Sequence, residues 1–273
     1  MELFGRDMII GDFKLSDYGM ILASFDSGAT NTEDELGMDH ETIEEYIGHN
    51  SIPVYLGAKY TSKLRPQATI IKDPSISSDM KFTEHECRDI LRQLTGFQGY
   101  KNMQINPYIF DELLYFNVRI TAVKYKKIAG NVTGIILDME CDSQFAWSKD
   151  FITTYNINAG EIIKIYNKSD DLYNYLLPKI TITSPSSISR LEIKNLSDNN
   201  WTSIIANLSK NETITMDSKN EILTSSIANK IILNDFNMHF IRLVPDENQL
   251  QVNSNVTLTF NFKLPRKVGF ICE

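Results

Sequence analysis

Ser143-Gln144-Phe145-Ala146-Trp147-Ser148 divides this chain in two. A polar, strand-like run over residues 132–141 stops just before it, and a separate series of strand-like runs begins soon after. Two aromatics within three residues, set between acidic and hydroxyl side chains, mark a packed corner between two β-rich halves. On this reading Phe145 and Trp147 are interdomain packing residues.

Outward toward the N-terminus, residues 115–126 and 132–141 alternate apolar and polar side chains. With Gly130-Asn131 between them they predict a long hairpin. One helix precedes it. Thr83 and Glu86 have capping-box spacing, in which each side chain satisfies a free backbone N–H of the first turn. Cys87, Ile90, Leu91 and Leu94 then fall on one helical face, and Gly96 is placed to end the helix in a left-handed conformation. Earlier still, residues 13–25 read as a strand, a turn at Asp17-Tyr18-Gly19 and a second strand; residues 52–60 and 67–72 also read as strands. Residues 26–50 are rich in Ser, Gly, Asn, Asp and Glu with little apolar periodicity, which predicts a long acidic loop ordered by a partner.

Toward the C-terminus the pattern is almost wholly β. Candidate strands are 161–166, 177–184, 187–195, 212–217, 221–223, 238–244, 249–253 and 256–263, separated by turn residues at short intervals, as in an antiparallel sandwich. The expectation is a mainly β protein. Residues 1–148 form an α+β N-terminal domain with one main helix and the loop at 26–50, and residues 149–273 form a C-terminal β-sandwich.

The bulk numbers exclude several function classes. The chain has 273 residues and a hydrophobic content of 42%, enough for packed cores. Its formal charge of -8 and pI of about 5.1 argue against specific nucleic-acid binding, which needs clustered Lys and Arg. No apolar run approaches a membrane span and the first residues lack a signal-peptide core, so no membrane association is expected. Cys87, Cys141 and Cys272 are odd in number and far apart, so neither a disulfide framework nor a Cys-based metal site is implied, and thiols in a cytoplasm are the expectation.

No catalytic kit is visible. There is no Gly-x-Ser-x-Gly elbow, no His-Glu-x-x-His pair and no phosphate-cradling glycine loop, and neither His85 nor His239 has a nucleophile motif beside it. The carboxylates and histidines Asp34, Glu35, Asp39, His40, Glu41, Glu44, Glu45 and His49 supply oxygen ligands of the kind calcium takes, but not in EF-hand spacing. A solvated loop or subunit contact is the better account, so no metal and no cofactor are expected. Trp147 and Trp201 are of a type that stacks on sugar rings; packing for Trp147 and closure of the turn after Asn199-Asn200 for Trp201 are the simpler readings. A carbohydrate-binding adhesin or baseplate module that recognises a bacterial surface glycan is the alternative.

The order of these pieces resembles the distal tail (Dit) protein family of long-tailed siphophages that infect Gram-positive bacteria. Phe13-Lys14-Leu15-Ser16-Asp17-Tyr18-Gly19-Met20-Ile21-Leu22 is similar to the family's first strand and turn. The lone capped helix before a long hairpin is similar to its first domain, and Gln144-Phe145-Ala146-Trp147-Ser148 resembles the segment that closes it. Leu177-Pro178-Lys179-Ile180-Thr181-Ile182 resembles the opening strand of the family's galectin-like sandwich. Leu243-Val244-Pro245-Asp246-Glu247-Asn248-Gln249-Leu250 is similar to its late turn, with Asp246 where a glycine is more usual.

The resemblance implies a non-enzymatic virion structural protein of the phage tail tip, assembled in the bacterial host cytoplasm. It would form a homo-oligomer, a hexameric ring, that joins the tail tube protein to the tail tip hub or tail-associated lysin protein and to the baseplate or receptor-binding proteins of host attachment. The tape-measure protein and DNA would pass through its lumen. Asp34, Glu35, Asp39, Glu44 and Glu45 would then belong to an inter-subunit arm. The resemblance implies no lectin activity, and no galactose-type cluster is expected around His239 or Trp201.

Overall fold

The computed structural model describes residues 3, 7–23, 40–49, 51–96, 98–106 and 112–267. The chain separates into two compact units: Met1–Ser148 with Arg266–Glu273, and Lys149–Pro265. Each has its own buried core.

The first unit contains β1 (Asp7–Ile10), β2 (Phe13–Lys14), β3 (Met20–Leu22), β4 (His40–Glu45), β5 (Val54–Tyr60) and β6 (Gln67–Lys72). Helix α1 (Glu84–Thr95) follows, then β7 (Lys101–Asn106), β8 (Leu114–Ile128), β9 (Asn131–Cys141) and β10 (Ala146–Trp147). The main sheet runs β2-β1-β7-β8-β9-β6-β3, and β10 pairs with β8 off this path. One face is built from alternating residues such as Met8, Ile10, Met103, Ile105, Phe116, Val118, Ile135 and Leu137, all buried.

Helix α1 starts as its sequence predicts. Thr83 Oγ1 accepts from Glu86 N at 3.2 Å and Glu86 Oε2 accepts from Thr83 N at 2.7 Å, which satisfies two orphan donors. Cys87, Ile90 and Leu94 are buried, whereas Leu91 lies at the margin of the stripe. The stop differs from expectation. Gly96 has φ -75°, not the left-handed conformation; glycine is required because a Cβ there would collide with the Arg92 carbonyl, which accepts from Gly96 N at 3.1 Å. The β8–β9 hairpin turns one residue earlier than expected, on Ala129-Gly130 with φ 48° and 81°. Two consecutive positive φ values match the twist of a two-residue hairpin loop.

The segment read as a loop over residues 26–50 is corrected in its second part. His40–Glu45 is β4, paired antiparallel with β5 in a separate two-stranded sheet. Its acidic residues masked a β-compatible core of Thr42-Ile43, and pairing with an apolar neighbour strand outweighs their poor strand propensity. Residues 26–39 lie outside the described residues.

The second unit contains β11 (Phe151–Ile157), β12 (Ile162–Asn167), β13 (Lys179–Thr183), β14 (Ile188–Asn195), β15 (Trp201–Leu208), β16 (Thr213–Asp217), β17 (Ile222–Ser225), β18 (Asp246–Val252) and β19 (Val256–Phe262); the last strand, β20 (Pro265–Arg266), pairs with β10 in the sheet of the first unit. The sheets β11-β19-β13-β16-β17 and β12-β18-β14-β15 are wholly antiparallel. Ile180, Ile182, Ile214, Met216, Leu258 and Phe260 of one sheet and Leu191, Ile193, Ile205, Leu250 and Val252 of the other form the buried core of a sandwich.

Strand alternation puts threonines on the opposite face of the five-stranded sheet. Thr154, Thr259, Thr181, Thr215 and Thr224 stand in register across all five strands, and Asn156, Thr257, Thr183 and Thr213 form the next row. Thr154 and Thr259 share a hydrogen bond of 2.9 Å, and Thr257 donates to Asn156 Oδ1 at 2.9 Å.

Strands β1, β7 and β10 of the first unit and β11 and β15 of the second were not expected, and the expected strand at 238–244 is irregular apart from a bridge between Leu176 and Leu243. Met238 has φ 62°, which interrupts an extended backbone, and Phe240, Ile241 and Leu243 are buried without two-residue alternation.

Candidate assembly interface

The notable surface of the first unit is the β4–β5 hairpin. Every residue of β4 is exposed. Ile43, Tyr46, Ile47, Ile52, Val54, Tyr55 and Leu56 are also exposed, concentrating apolar surface in one short stretch. Glu41 is paired with Lys59 at 3.1 Å. Glu44 and Glu45 stand opposite Tyr55 and Val54 after a register shift at Ile43/Glu44. Of the five residues assigned to an arm, Glu44 and Glu45 are therefore on a strand, and Asp34, Glu35 and Asp39 lie outside the described residues.

Phe145 anchors the root of this hairpin. Its buried ring meets Tyr60, the last residue of β5, edge to face at 5.2 Å. Trp147 pairs across the sheet with Tyr115 of β8. Both contacts lie within the first unit. The connection from Phe145 to Tyr60 was not legible in the sequence, because 85 positions separate them and neither carries a motif.

Beside α1 lies a shallow cleft of about 550 Å³ lined by Tyr18, Met20, Lys72, Phe82, Glu86 and Ile90 among others. Its charged pair is internally satisfied: Lys72 Nζ donates to Glu86 Oε1 at 2.8 Å and sits over the Phe82 ring. That bond, followed by the Thr83 N–H, holds the Glu86 carboxyl below its ordinary range. His85 lies on the exposed side of the helix, 2.8 Å from Asp89 one turn on. Cys141 is an inert core thiol, pushed up to about 12 by burial and then by Asp142 and Glu140.

In the second unit the structure brings together side chains that the sequence left apart. His239 and Trp201 do form a cluster: the rings stack at 4.2 Å, and the Arg242 guanidinium lies 3.9 Å from the Trp201 ring and 4.1 Å from Tyr175. Asp198, almost fully buried, holds Arg242 through Nε at 2.6 Å. Both groups thus pack against the half-buried Trp201 indole. Its Nε1 is used as well, donating to the Phe240 carbonyl at 2.9 Å. The cluster fastens the irregular 237–243 segment onto β15 and engages Trp201 in packing.

The late turn is held by Asn248, which is fully buried. Its Oδ1 accepts from Asn195 Nδ2 and Val244 N, each at 2.9 Å; its Nδ2 donates to the carbonyls of Val244 at 2.8 Å and Asp246 at 3.2 Å. All four hydrogen-bonding positions of the amide are used. Asp246 has φ 66°, the left-handed conformation that explains why glycine suits this place. Among the described residues, no group of three or more His, Cys, Asp or Glu side chains is placed to hold a metal ion.

The first unit thus carries an exposed two-stranded hairpin apart from its main sheet, and the second unit is an antiparallel sandwich. Residues 4–143 match a family described as phage tail protein N-terminal domain, and residues 145–262 match one described as phage tail C-terminal domain. The chain belongs to this phage tail protein family and is a structural component of the virion. Among solved structures its fold is similar to that of the Dit protein of phage SPP1, described as a paradigm of the hub adsorption apparatus of phages that infect Gram-positive bacteria. The TM-score is 0.63 at 13% identity, over 94% of this chain and 98% of that one. A chain in the activated baseplate of phage P2 also matches, with TM-score 0.43 at 11% identity over 94% of each chain. Comparison with curated proteins returns no significant match.

Proposed function

We propose that this protein is the distal tail hub: a hexameric ring that joins the tail tube to the tail tip and to the host-adhesion device. The observation that carries this reading is the likeness to SPP1 Dit over nearly the whole of both chains, both units included. The first unit makes the ring and meets the tube; the second offers its surface to baseplate or receptor-binding proteins. Residues 1–148 and 149–273 act as the two domains on this reading, and the arm carrying Glu44 and Glu45 links neighbouring copies. Closing a ring removes free strand edges and covers apolar surface that a single copy leaves wet. The tape-measure protein and DNA pass through a lumen that the acidic balance keeps from gripping phosphate. Assembly takes place in the host cytoplasm.

Phe145 and Trp147 set the exit of the chain from the ring-forming domain. Trp147→Ala should impair ring assembly on this reading. Light scattering and negative-stain imaging of the purified chain test the whole proposal. A six-fold ring is expected; a monodisperse monomer that binds neither tail-tube nor tip-hub partners would sink it.

A further inference from the structure

We propose that the β4–β5 arm of one copy docks on the tip of the β8–β9 hairpin of the next copy. This rests on the ring reading above and adds to it the surface that receives the arm.

The arm needs a partner. A two-stranded hairpin is at best marginally stable in water, and this one exposes every residue of β4. Exposed Ile43, Ile52, Tyr55 and Leu56 give it an apolar character that solvent does not favour. Its charge is acidic: Lys59 is engaged by Glu41, while Glu44 and Glu45 have no ion pair among the described residues.

The β8–β9 tip is its complement. Lys124, Lys126 and Lys127 fall within four residues of β8, and the facing residues 131–136 of β9 carry no acid. The nearest carboxylate along β9, Asp138, is taken by Lys124 at 2.7 Å. Tyr125 and Ile128 stand exposed among the lysines. The tip is thus basic and apolar where the arm is acidic and apolar. Complementary potentials of this kind fix partner and register.

Both surfaces are exposed in one and the same chain, so the arm's partner is a second copy. Arm and tip are different surfaces, which makes the contact heterologous. Repeated head to tail, such a contact generates a ring if the rotation closes, whereas a self-complementary patch would stop at a two-fold dimer.

Three chains test this: unaltered, arm-reversed (Glu44→Lys with Glu45→Lys) and tip-reversed (Lys126→Glu with Lys127→Glu), together with a fourth carrying all four changes. Circular dichroism checks that each is folded. The concentration at half-assembly, read by light scattering, should rise tenfold or more in each reversed chain and return toward the unaltered value in the fourth. An arm-reversed chain that assembles like the unaltered one overturns this inference and leaves the ring reading standing. An unaltered chain that never assembles overturns both. A second measurement needs no mutation: carbodiimide cross-linking of rings assembled from mixed light and heavy-isotope chains. Mixed-isotope peptides joining residues 44–45 to 124–127 are expected, and cross-links from 44–45 only to other regions would refute the docking site.

Discussion

Removing the Asn248 side chain should cost the second unit about 3 kcal/mol of stability. The figure follows from the fate of its four partners. Asn195 Nδ2 keeps a second acceptor, the Arg242 carbonyl at 3.1 Å. Asp246 is exposed, so its carbonyl can turn to water. The N–H and C=O of Val244 are left as orphans in a half-buried place. At roughly 1–3 kcal/mol for each unsatisfied group the two together span about 2–6 kcal/mol, and the half-buried place of Val244 puts Asn248→Ala in the lower half of that range, about 3 kcal/mol. Urea unfolding followed by tryptophan fluorescence measures it. There are two tryptophans, so a Trp147→Phe background leaves Trp201 as the reporter of the second unit. Asn248→Asp supplies the sharper control. It keeps the shape but turns an oxygen toward two carbonyl oxygens, which disfavours the ionised form and raises the folded pKa above the unfolded value of about 3.9. A carboxyl raised in this way destabilises the fold at high pH; the penalty shrinks once pH falls through the raised folded pKa and is gone only below the unfolded value. Relative to the unaltered chain, the Asp variant should therefore regain stability as pH is lowered from neutral toward the unfolded value of about 3.9. A loss below about 1 kcal/mol for the alanine variant, or a pH-independent deficit for the aspartate one, would refute the account of the turn.

Three further outcomes are expected. Glu212 is fully buried and paired with Lys230 at 2.9 Å; burial raises its carboxyl, but the Ser209 N–H, the Ser225 hydroxyl and Lys230 outweigh it and hold the pKa below the ordinary range. Its stabilisation is thus complete above the unfolded value of about 4.3 and disappears as pH falls through the lower folded value. Glu212→Ala should cost about 3–5 kcal/mol at neutral pH in the same unfolding assay. Gly96→Ala should lower thermal stability by about 1 kcal/mol through the collision with the Arg92 carbonyl, seen as a reduced Tm. Arg242→Lys removes a planar group held between two rings and the fork onto Asp198; a loss of about 2 kcal/mol with a red-shifted Trp201 emission is expected, and unchanged emission would count against the stack.

Local signals were legible where one kind of physics acted alone. Thr83 and Glu86 announced the helix because a capping box needs only neighbours in sequence. The β8–β9 hairpin showed itself through alternation against one core. The misses have different causes. At the edge strand β11, Phe151-Ile152-Thr153-Thr154-Tyr155 buries almost nothing, so it has no alternation to read. Strand β4 is acidic and exposed on both faces, which in a sequence looks like a loop. Phe240, Ile241 and Leu243 imitate a strand because apolar residues recur, yet they are buried by an irregular segment that side chains tie down. The two candidate sites divide in the same way. The acidity of the arm was visible, but not that it is a hairpin rooted on Phe145; Trp201 and His239 were visible singly, but not their stack through Arg242, which only the three-dimensional path creates.

The threonine rows on the second unit have a consequence for a particle that leaves its cell of origin. Hydroxyls and one amide fill the middle of that sheet face, and none of them titrates near neutrality. The charged groups stand a row away, at Lys179 and Asp217. The face therefore presents the same neutral, hydrated lattice in acid soil or alkaline water, in dilute medium or brine. Whatever that side of the protein touches or repels, acidity and salt have little there to act on.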